Sequence, residues 1–190
     1  MQVLVVDGFL EGTDDLGLAD ATISILQDAG NNVDYLSLAA PEFSGFMSAA
    51  ERRAYESDMP LIAEDSKASA RRLQAADSLL LIYPTTLRGV PAVMKSWIER
   101  VCVKGVSFDF NSAGRVRPAL TNVRRLGAIT STPQEEPSTS RRRDLGYRTI
   151  MRTLRLNCHS RCRRTFVRLS PMSTAAEVDA QLRQALQRWR

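Results

Sequence analysis

The stretch IYPTTLRGVPAVMKSWIERV, residues 82–101, decides the fold. A run of apolar residues, 79–83, ends at Pro84, which is typical of a buried strand that reaches a turn. A polar loop follows, and Pro91 opens a segment whose apolar residues recur at helical spacing. The stretch therefore predicts a buried strand, a loop rich in hydrogen-bonding groups, and an amphipathic helix.

The same alternation of short apolar runs and longer amphipathic segments covers the chain, which we expect to be one domain, residues 1–190. The predicted strands are 2–6, 32–38, 78–83, 123–132 and 164–170. The predicted helices are 14–30, 62–77, 91–103, 143–157 and 174–190, and 40–58 is a long connection with one group of helical turns. This pattern predicts an α/β three-layer sandwich with a five-stranded parallel sheet of order 2-1-3-4-5, whose ligands bind at the carboxyl ends of the strands.

Composition limits the class of protein. Hydrophobic residues make up 44% of the 190, yet no apolar run approaches the ~18 residues of a membrane span. The N-terminus lacks the basic region and the small-residue cleavage site of a signal peptide. An odd number of cysteines, 3, argues against a disulfide framework. We therefore expect a cytoplasmic protein with no membrane span.

Charge is unevenly distributed along the chain. Residues 1–80 hold 14 acidic and 5 basic side chains, and residues 81–190 hold 7 and 21, so the halves carry −9 and +14 and sum to +5. The stretch 141–168 contains ten arginines and a single acid, Asp144. Such a stretch can bind a polyanion, but no nucleic-acid motif accompanies it. A solvated face is favoured, with a nicotinamide dinucleotide phosphate as a smaller anionic ligand and no nucleic-acid partner.

The loop 84–89 carries the hydroxyls of Thr85 and Thr86, the guanidinium of Arg88, and a glycine, Gly89. These groups can hydrogen-bond the edge of a flat heteroaromatic ring. They can equally form a rigid turn that only orients the next helix. The sequence leaves both interpretations open.

A second loop, 127–133, follows the next predicted strand and brings Thr130, Ser131 and Thr132 to the same edge of the sheet. A polar loop of this kind often has no special role. Two hydroxyl-rich loops on neighbouring strand ends are a stronger indication of a ligand site than either loop alone.

The first loop, 7–15, precedes a helix whose N-terminus suits a phosphate, because its amides are free and its dipole is positive. Thr13 fits such a site, but the carboxylates of Asp14 and Asp15 repel a phosphate dianion. We favour a helix cap as the role of one of these aspartates. The loop matches neither GxGxxG nor GxxxxGK[ST], so neither nucleotide fingerprint applies.

The only histidine, His159, lies between Cys158 and Cys162. The spacing matches no common zinc pattern, and the chain has no GxSxG nucleophile motif. We predict no metal site here and assign no catalytic side chain.

Residues 83–108 resemble the signature of flavodoxin-like NAD(P)H:quinone oxidoreductases. The matching positions are Pro84, Gly89, Pro91, Ala92, Lys95, Trp97, Glu99, Arg100, Val101, Gly105 and Phe108. The resemblance implies a flavodoxin-like fold, FMN as cofactor (FAD less so), NAD(P)H as cosubstrate, a quinone or similar small acceptor, and a homodimer. A flavin-free binding or regulatory module that keeps the fold is the alternative.

Carried over by motif, the resemblance also implies the residues of the cofactor site. The flavin ring would be lined by Pro84, Thr85, Thr86, Leu87 and Arg88 of one loop, and by Thr130, Ser131, Thr132 and Pro133 of the other. Thr13 and Asp15 would occupy the positions of the family's phosphate-loop Ser and Asn, so that Asp15→Asn is expected to tighten FMN binding. On the helix after the flavin loop, Trp97 beside Met94 and Val101 suggests a dimer contact.

Overall fold

The computed structural model describes residues 1–40, 43, 45–55, 57, 60–132 and 144–189, in which five parallel strands form the central sheet. The strands in chain order are β1 Gln2–Asp7, β2 Asn32–Ser37, β3 Ser78–Pro84, β4 Phe108–Phe110, β5 Val116–Pro118, β6 Arg125–Ser131 and β7 Arg163–Leu169. The sheet has the order β2-β1-β3-β6-β7, and β4 and β5 form a separate antiparallel hairpin. The flavodoxin-like order predicted for five parallel strands is confirmed.

Helices cover both faces of this sheet. They are α1 Leu18–Asp28, α2 Ala49–Ala54, α3 Glu64–Ala75, α4 Ala92–Val101, α5 Leu145–Tyr147 and α6 Ala175–Leu186. The short α5 continues as a π-helical segment, Arg148–Thr153, and a 3₁₀ segment, Leu154–Asn157. Among the described residues, none of the helices has the length and apolar character needed to cross a membrane.

The structure departs from the predicted elements in three places. The helix predicted at 143–157 contains one α turn followed by wider and tighter helical turns. The helix predicted from residue 14 begins at Leu18, because Gly17 adopts a left-handed conformation (φ 61°) that ends the preceding loop. The β4–β5 hairpin was not predicted, since three-residue strands are too short to show a periodic pattern.

The central strand β3 is buried on both faces and joins two cores. Leu79, Leu81 and Tyr83 pack into the core that contains residues of α3 and α4. Leu80 and Ile82 pack into the core that contains residues of α1 and α6. This two-sided burial explains the continuous apolar run of β3, which an alternating strand with one solvated face would not show.

Trp97 is part of the first core rather than a surface contact. Its side chain is fully buried within the single chain, as are those of Met94 and Val101 on the same face of α4. The inference of a dimer contact from these three residues is therefore wrong, because the apolar face of α4 is already covered by its own domain.

A buried ion cluster ties α4 to α2 and α3. The guanidinium of Arg100, 3% exposed, donates from Nε to Glu51 Oε1 at 3.0 Å and from Nη2 to Asp65 Oδ1 at 2.6 Å. Glu51 also completes a capping box with Ser48 at the start of α2. The Arg100 position of the family signature thus holds three helices in place.

Replacing Arg100 by Met is expected to destabilise the protein by about 3–5 kcal/mol, because Glu51 would remain buried without its cation. Urea denaturation measures the change. The matched control is Arg183→Met, which breaks an exposed i,i+4 pair with Asp179 and is expected to leave the denaturation midpoint unchanged. Equal effects of the two substitutions would contradict a structural role for the Arg100 cluster.

The same cluster predicts a loss of stability in acid. Burial by itself raises the pKa of Glu51, but the hydrogen bonds from the Ser48 amide and from Arg100 outweigh it, and the net pKa is lowered. The stabilisation is therefore present above the ordinary glutamate pKa of about 4.3 and is lost as the pH falls below it. Denaturation midpoints measured across that range are expected to fall less steeply in a Glu51→Gln variant than in the natural chain.

Candidate functional site

The parallel register places the carboxyl ends of all five strands at one edge of the sheet. β3 lies at the centre, with Pro84 opposite Ser131 of β6 and Ile82 opposite Asp7 of β1. The loops that follow β1, β3 and β6 therefore meet at this edge, which is where an open α/β sheet binds its ligands. The predicted cofactor-binding residues that the structure describes lie in these loops or at the strand ends beside them.

The loops after β3 and β6 are joined directly. The amide of Thr85 donates to the carbonyl of Ser131 at 2.8 Å, and the hydroxyls of Thr85 and Thr130 are 2.7 Å apart. Thr130 is fully buried and Thr85 is half-buried, so this hydroxyl pair forms the floor of the junction. The structure thus brings together the two hydroxyl-rich loops that the topology predicts to be neighbours.

The rest of the β3 loop is a tight turn under strain. The Thr86 and Gly89 backbones exchange hydrogen bonds of 3.0 and 2.8 Å, and the two residues between them are left-handed, with φ of 47° for Leu87 and 62° for Arg88. Neither is the glycine or asparagine that such a turn favours, and each costs roughly 1–2 kcal/mol in this conformation. Leu87 is 93% exposed, and strain of this kind is found preferentially at functional sites.

The predicted residues after β6 differ in what they can offer a ligand. Thr132 is 6% exposed, and its amide and hydroxyl donate to the carbonyl of Leu169 on β7 at 3.0 and 3.4 Å. Its hydroxyl therefore contacts the end of the neighbouring strand. Ser131 is half-buried and accepts from Thr85 through its backbone. Pro133 lies outside the described residues.

Backbone and side-chain groups at the start of α5 stabilise the strained turn. The amides of Leu145 and Gly146 both donate to the carbonyl of Arg88, at 2.8 and 3.3 Å. Asp144, 4% exposed, caps this turn by accepting from the Tyr147 amide at 2.7 Å and pairs with Arg168 of β7. The start of α5 is therefore fixed both to the tip of the β3 loop and to the edge strand.

Tyr83 lies beneath the same turn. Its hydroxyl is buried and has no hydrogen-bond partner among the described residues, and a Cβ added at Gly146 would lie 2.6 Å from it. Burial, and then the charge of Asp144, raises the pKa of Tyr83. This hydroxyl stays protonated at neutral pH and cannot act as a base.

A cleft of about 510 Å³ opens beside this junction, at the carboxyl ends of β1 and β2. Its lining is strongly acidic and includes the carboxylates of Asp7, Glu11, Asp14 and Asp20. Of the predicted site residues within the described part of the chain, none lines this cleft. Such a surface attracts cations and repels phosphate.

At the floor of the cleft, Asp7 is 5% exposed and accepts from the Phe9 amide at 2.9 Å and from the Tyr35 hydroxyl at 2.7 Å. Burial raises the pKa of Asp7, and these two hydrogen bonds offset part of the rise. Burial and the same hydrogen bond raise the pKa of Tyr35 to about 12. The pair holds the end of β1 against β2.

The predicted phosphate position at the start of α1 is filled by the protein itself. Asp14 Oδ2 accepts from the Ala19 amide at 2.9 Å and so occupies an amide of the first turn, but the N-cap residue of α1 is Gly17 and not one of the two aspartates. The hydroxyl of Thr13 donates to the carbonyl of Leu10 at 2.8 Å, and Asp15 is exposed and does not line the cleft. The loop therefore does not fit a phosphate dianion in this conformation, because the Ala19 amide is already bonded to Asp14 and the surroundings are acidic.

The sequence missed several residues that shape the site, namely Asp7, Tyr35, Tyr83, Asp144, Gly146 and Arg168. Asp144 stands out in the sequence as the only acid in an arginine-rich stretch, which was the available signal. The others are far apart in sequence from the groups they contact.

Gly146→Ala is expected to destabilise the protein by about 1–3 kcal/mol, because the new methyl group would overlap the Tyr83 hydroxyl. Tyr83→Phe removes a buried hydroxyl without a described partner, so it is expected to be neutral or stabilising. The double variant should recover most of the loss in urea denaturation. Additive effects of the two substitutions would mean that the clash is not with this oxygen.

Comparison with known proteins agrees with this architecture. A family model described as flavodoxin-like fold matches residues 1–190. Among solved structures, an NAD(P)H:quinone oxidoreductase from Methanothermobacter marburgensis is 19% identical, with a TM-score of 0.77 over 100% of this chain and 98% of that one. An azoreductase from Bacillus anthracis is 13% identical, with a TM-score of 0.75 over 100% and 98%. These structures share the fold of this chain.

Curated relatives have higher identity over part of the chain. An FMN-dependent NADH:quinone oxidoreductase from Cereibacter sphaeroides is 30% identical over 112 residues, which are 59% of this chain and 54% of that protein. FMN-dependent NADH:quinone oxidoreductase 1 from a Jannaschia species is 28% identical over 127 residues, which are 63% and 64%. The chain thus spans about half the length of the Cereibacter relative. With the family model covering every residue, the chain belongs to the flavodoxin-like fold family.

Proposed function

We propose that the protein is a flavin-dependent NAD(P)H oxidoreductase that reduces a quinone or a similar small acceptor, with FMN as its flavin. The curated relatives bear names with this activity, and the segment 83–108 carries the matching signature. The observation that carries the proposal is the junction of the β3 and β6 loops, where the Thr85–Thr130 hydroxyl pair lies beside a strained turn at the ligand-binding edge.

The hydride-transfer chemistry would be supplied by the bound flavin. The task of this chain is to hold and orient a flat ring. The exposed turn at Leu87 offers a backbone amide that makes no hydrogen bond to the described residues, and Thr85 and Thr86 offer hydroxyl groups. No side chain at the junction needs to donate or accept a proton, and Tyr83 is held protonated beneath it.

The part of the candidate site that would hold the phosphate is unfavourable for FMN binding. Asp14 would have to release the Ala19 amide, and the remaining carboxylates of the cleft would repel the incoming charge. A carboxylate near the phosphate costs affinity on the order of 1–2 kcal/mol at surface-like dielectric. This misfit favours the second candidate, a flavin-free binding or regulatory module that keeps the fold.

The absorbance spectrum of the purified protein discriminates the two functions. Flavin bands that persist after gel filtration, and NAD(P)H oxidation that depends on an added quinone, are expected for the oxidoreductase. The flavin-free module is expected to be colourless, to bind neither added FMN nor added riboflavin, and not to oxidise NAD(P)H. These results together would contradict the oxidoreductase.

Asp14→Asn is expected to tighten FMN binding by about tenfold, because asparagine can still cap the Ala19 amide while the charge is removed. The effect should shrink at high salt. Fluorescence quenching during titration of the apoprotein measures the affinity. The structure moves the expectation from Asp15 to Asp14, since only Asp14 lines the cleft.

Asp15→Asn is the matched control and is expected to change FMN affinity less than Asp14→Asn. Riboflavin, which lacks the phosphate, is expected to bind both variants like the natural chain. An equal gain for riboflavin and FMN in Asp14→Asn would show that the phosphate does not lie at the start of α1.

We also propose that the protein is a cytoplasmic homodimer. The family resemblance supports a dimer, and Phe110 and Val116 of the β4–β5 hairpin expose apolar surface, at 40% and 60%. The three cysteines are free thiols, which suits a reducing compartment. Light scattering is expected to give twice the chain mass of 21.1 kDa, and a particle of single-chain mass would contradict the dimer.

Either pyridine nucleotide remains compatible with the site. Arginines were expected to favour the extra phosphate of NADPH, but Arg125, Arg163 and Arg164 line a cleft at the opposite edge of the sheet. Arg168, which is near the junction, pairs with Asp144. These four arginines therefore do not support a preference for NADPH.

A further inference from the structure

A second cleft, of about 750 Å³, lies at the amino ends of β6 and β7, beside the C-terminal end of α6. This is the end of the sheet opposite the candidate flavin site. Its volume falls within the roughly 300–1,000 Å³ that is typical of sites for small molecules. The proposed oxidoreductase function makes no use of this cleft.

The charged side chains that line this cleft, within the described part of the chain, are all positive. Four arginines line it, and no aspartate or glutamate does. The four are Arg125, Arg163, Arg164 and Arg188. The carboxamides of Gln184 and Gln187, at the end of α6, add neutral hydrogen-bond donors. The lining therefore suits an anion and not a cation.

The sheet register brings two of these arginines side by side. Arg125 of β6 is in register with Arg163 of β7, so both side chains leave the same face of the sheet on neighbouring strands. Like charges placed opposite each other in this way are destabilising. Burial, and then the charge of Arg163, lowers the pKa of Arg125. A bound anion would offset the repulsion between the two guanidiniums.

The guanidiniums of Arg163 and Arg188 are available to a ligand. Both side chains are exposed, and neither has a hydrogen bond or an ion pair with another described residue. Arg164 is exposed too, and its Nη1 donates to the carbonyl of Met151 at 3.3 Å, which occupies only part of its five N–H groups. Arg125 Nε donates to the carbonyl of Arg188 at 2.8 Å and so joins β6 to the end of the chain beside the cleft.

The wall beside the arginines is held in place by Trp189. Its side chain is 1% exposed, and the indole N–H donates to the hydroxyl of Thr165 at 3.0 Å. The side chain of Asn31 donates to the Trp189 carbonyl at 2.6 Å. Gly127 makes room for the ring, since a Cβ there would lie 2.7 Å from Trp189 Cζ2. A wall fixed in this way lowers the ordering cost of binding a ligand.

We propose that this basic cleft binds a small anion with two linked phosphate groups, such as inorganic pyrophosphate or the diphosphate of a nucleotide. Guanidiniums bind phosphate oxygens through paired, charge-assisted hydrogen bonds. Arg163 and Arg188 would each contact the diphosphate, and the remaining arginines of the lining would contribute positive charge around it. The acidic cleft at the other end of the sheet repels the same anion, so the two clefts differ in the ligands that they accept.

Titration calorimetry of the full-length protein with inorganic pyrophosphate tests the proposal. Pyrophosphate is expected to bind at least about tenfold more tightly than inorganic phosphate, because it can reach a second guanidinium. The affinity is expected to fall as salt is added. ADP is expected to compete with pyrophosphate. The headgroup of an anionic lipid offers the same phosphate chemistry, so sedimentation with vesicles of phosphatidylcholine and phosphatidic acid is measured in parallel. Sedimentation with the vesicles in place of pyrophosphate binding would overturn the proposal.

A pair of double variants locates the site. Arg163→Gln combined with Arg188→Gln is expected to weaken pyrophosphate binding by at least about tenfold. Both side chains are exposed, so the fold should be kept, and circular dichroism checks this. The matched control is Arg115→Gln combined with Arg117→Gln, which removes the same charge from exposed positions of the β4–β5 hairpin and should leave the affinity nearly unchanged. Equal losses in the two double variants, or pyrophosphate binding that survives the loss of Arg163 and Arg188, would overturn the proposal.

Discussion

The burial of β3 on both faces is the constraint on which the rest of the structure depends. Leu79, Leu81 and Tyr83 point to one core, and Leu80 and Ile82 point to the other, so a shift of one residue would place every side chain in the wrong core. β3 also pairs with β1 on one side and β6 on the other. Its register therefore determines where the loops after all three strands meet.

The acidic first half and the basic second half of the sequence line clefts at opposite ends of the sheet. Acidic residues from the first half, including Asp7, Glu11 and Asp20, line the cleft at the carboxyl end. Arginines from the second half line the cleft at the amino end. The acidic cleft is unfavourable for an anion such as phosphate, whereas the arginines of the basic cleft are favourable for one. The two ends of one sheet thus offer opposite electrostatic environments to ligands.

The segment from α5 to the 3₁₀ turn connects the neighbourhoods of both clefts. It begins at the carbonyl of Arg88, which accepts from two amides of α5, and it ends at Asn157, whose carbonyl accepts from the Leu120 amide at 2.9 Å. Between these two ends lies a π-helical segment, Arg148–Thr153, whose turns are wider than those of an α-helix. π-helical turns occur frequently at functional sites, and here the widened turns adjust the path of the chain between two fixed ends.

The sequence alone determined the layered α/β fold, the strand order and the edge at which the hydroxyl-rich loops meet, because hydrophobic periodicity and the handedness of crossovers leave few arrangements. These features are local, or they follow from topology. The resemblance to the family signature added the expectation of a flavin. The pattern of residues by itself left open whether the loops bind a ligand or only form a rigid turn.

Only the tertiary structure decided what each side chain faces. From the sequence, an apolar residue such as Trp97 can be buried either by a partner subunit or by its own domain. The structure shows that Trp97 is buried in the core that also contains residues of β3. Arg100 joined Glu51 and Asp65 through packing that composition does not encode. Periodicity reports which face of an element is buried, whereas the identity of the neighbour depends on how distant segments are brought together.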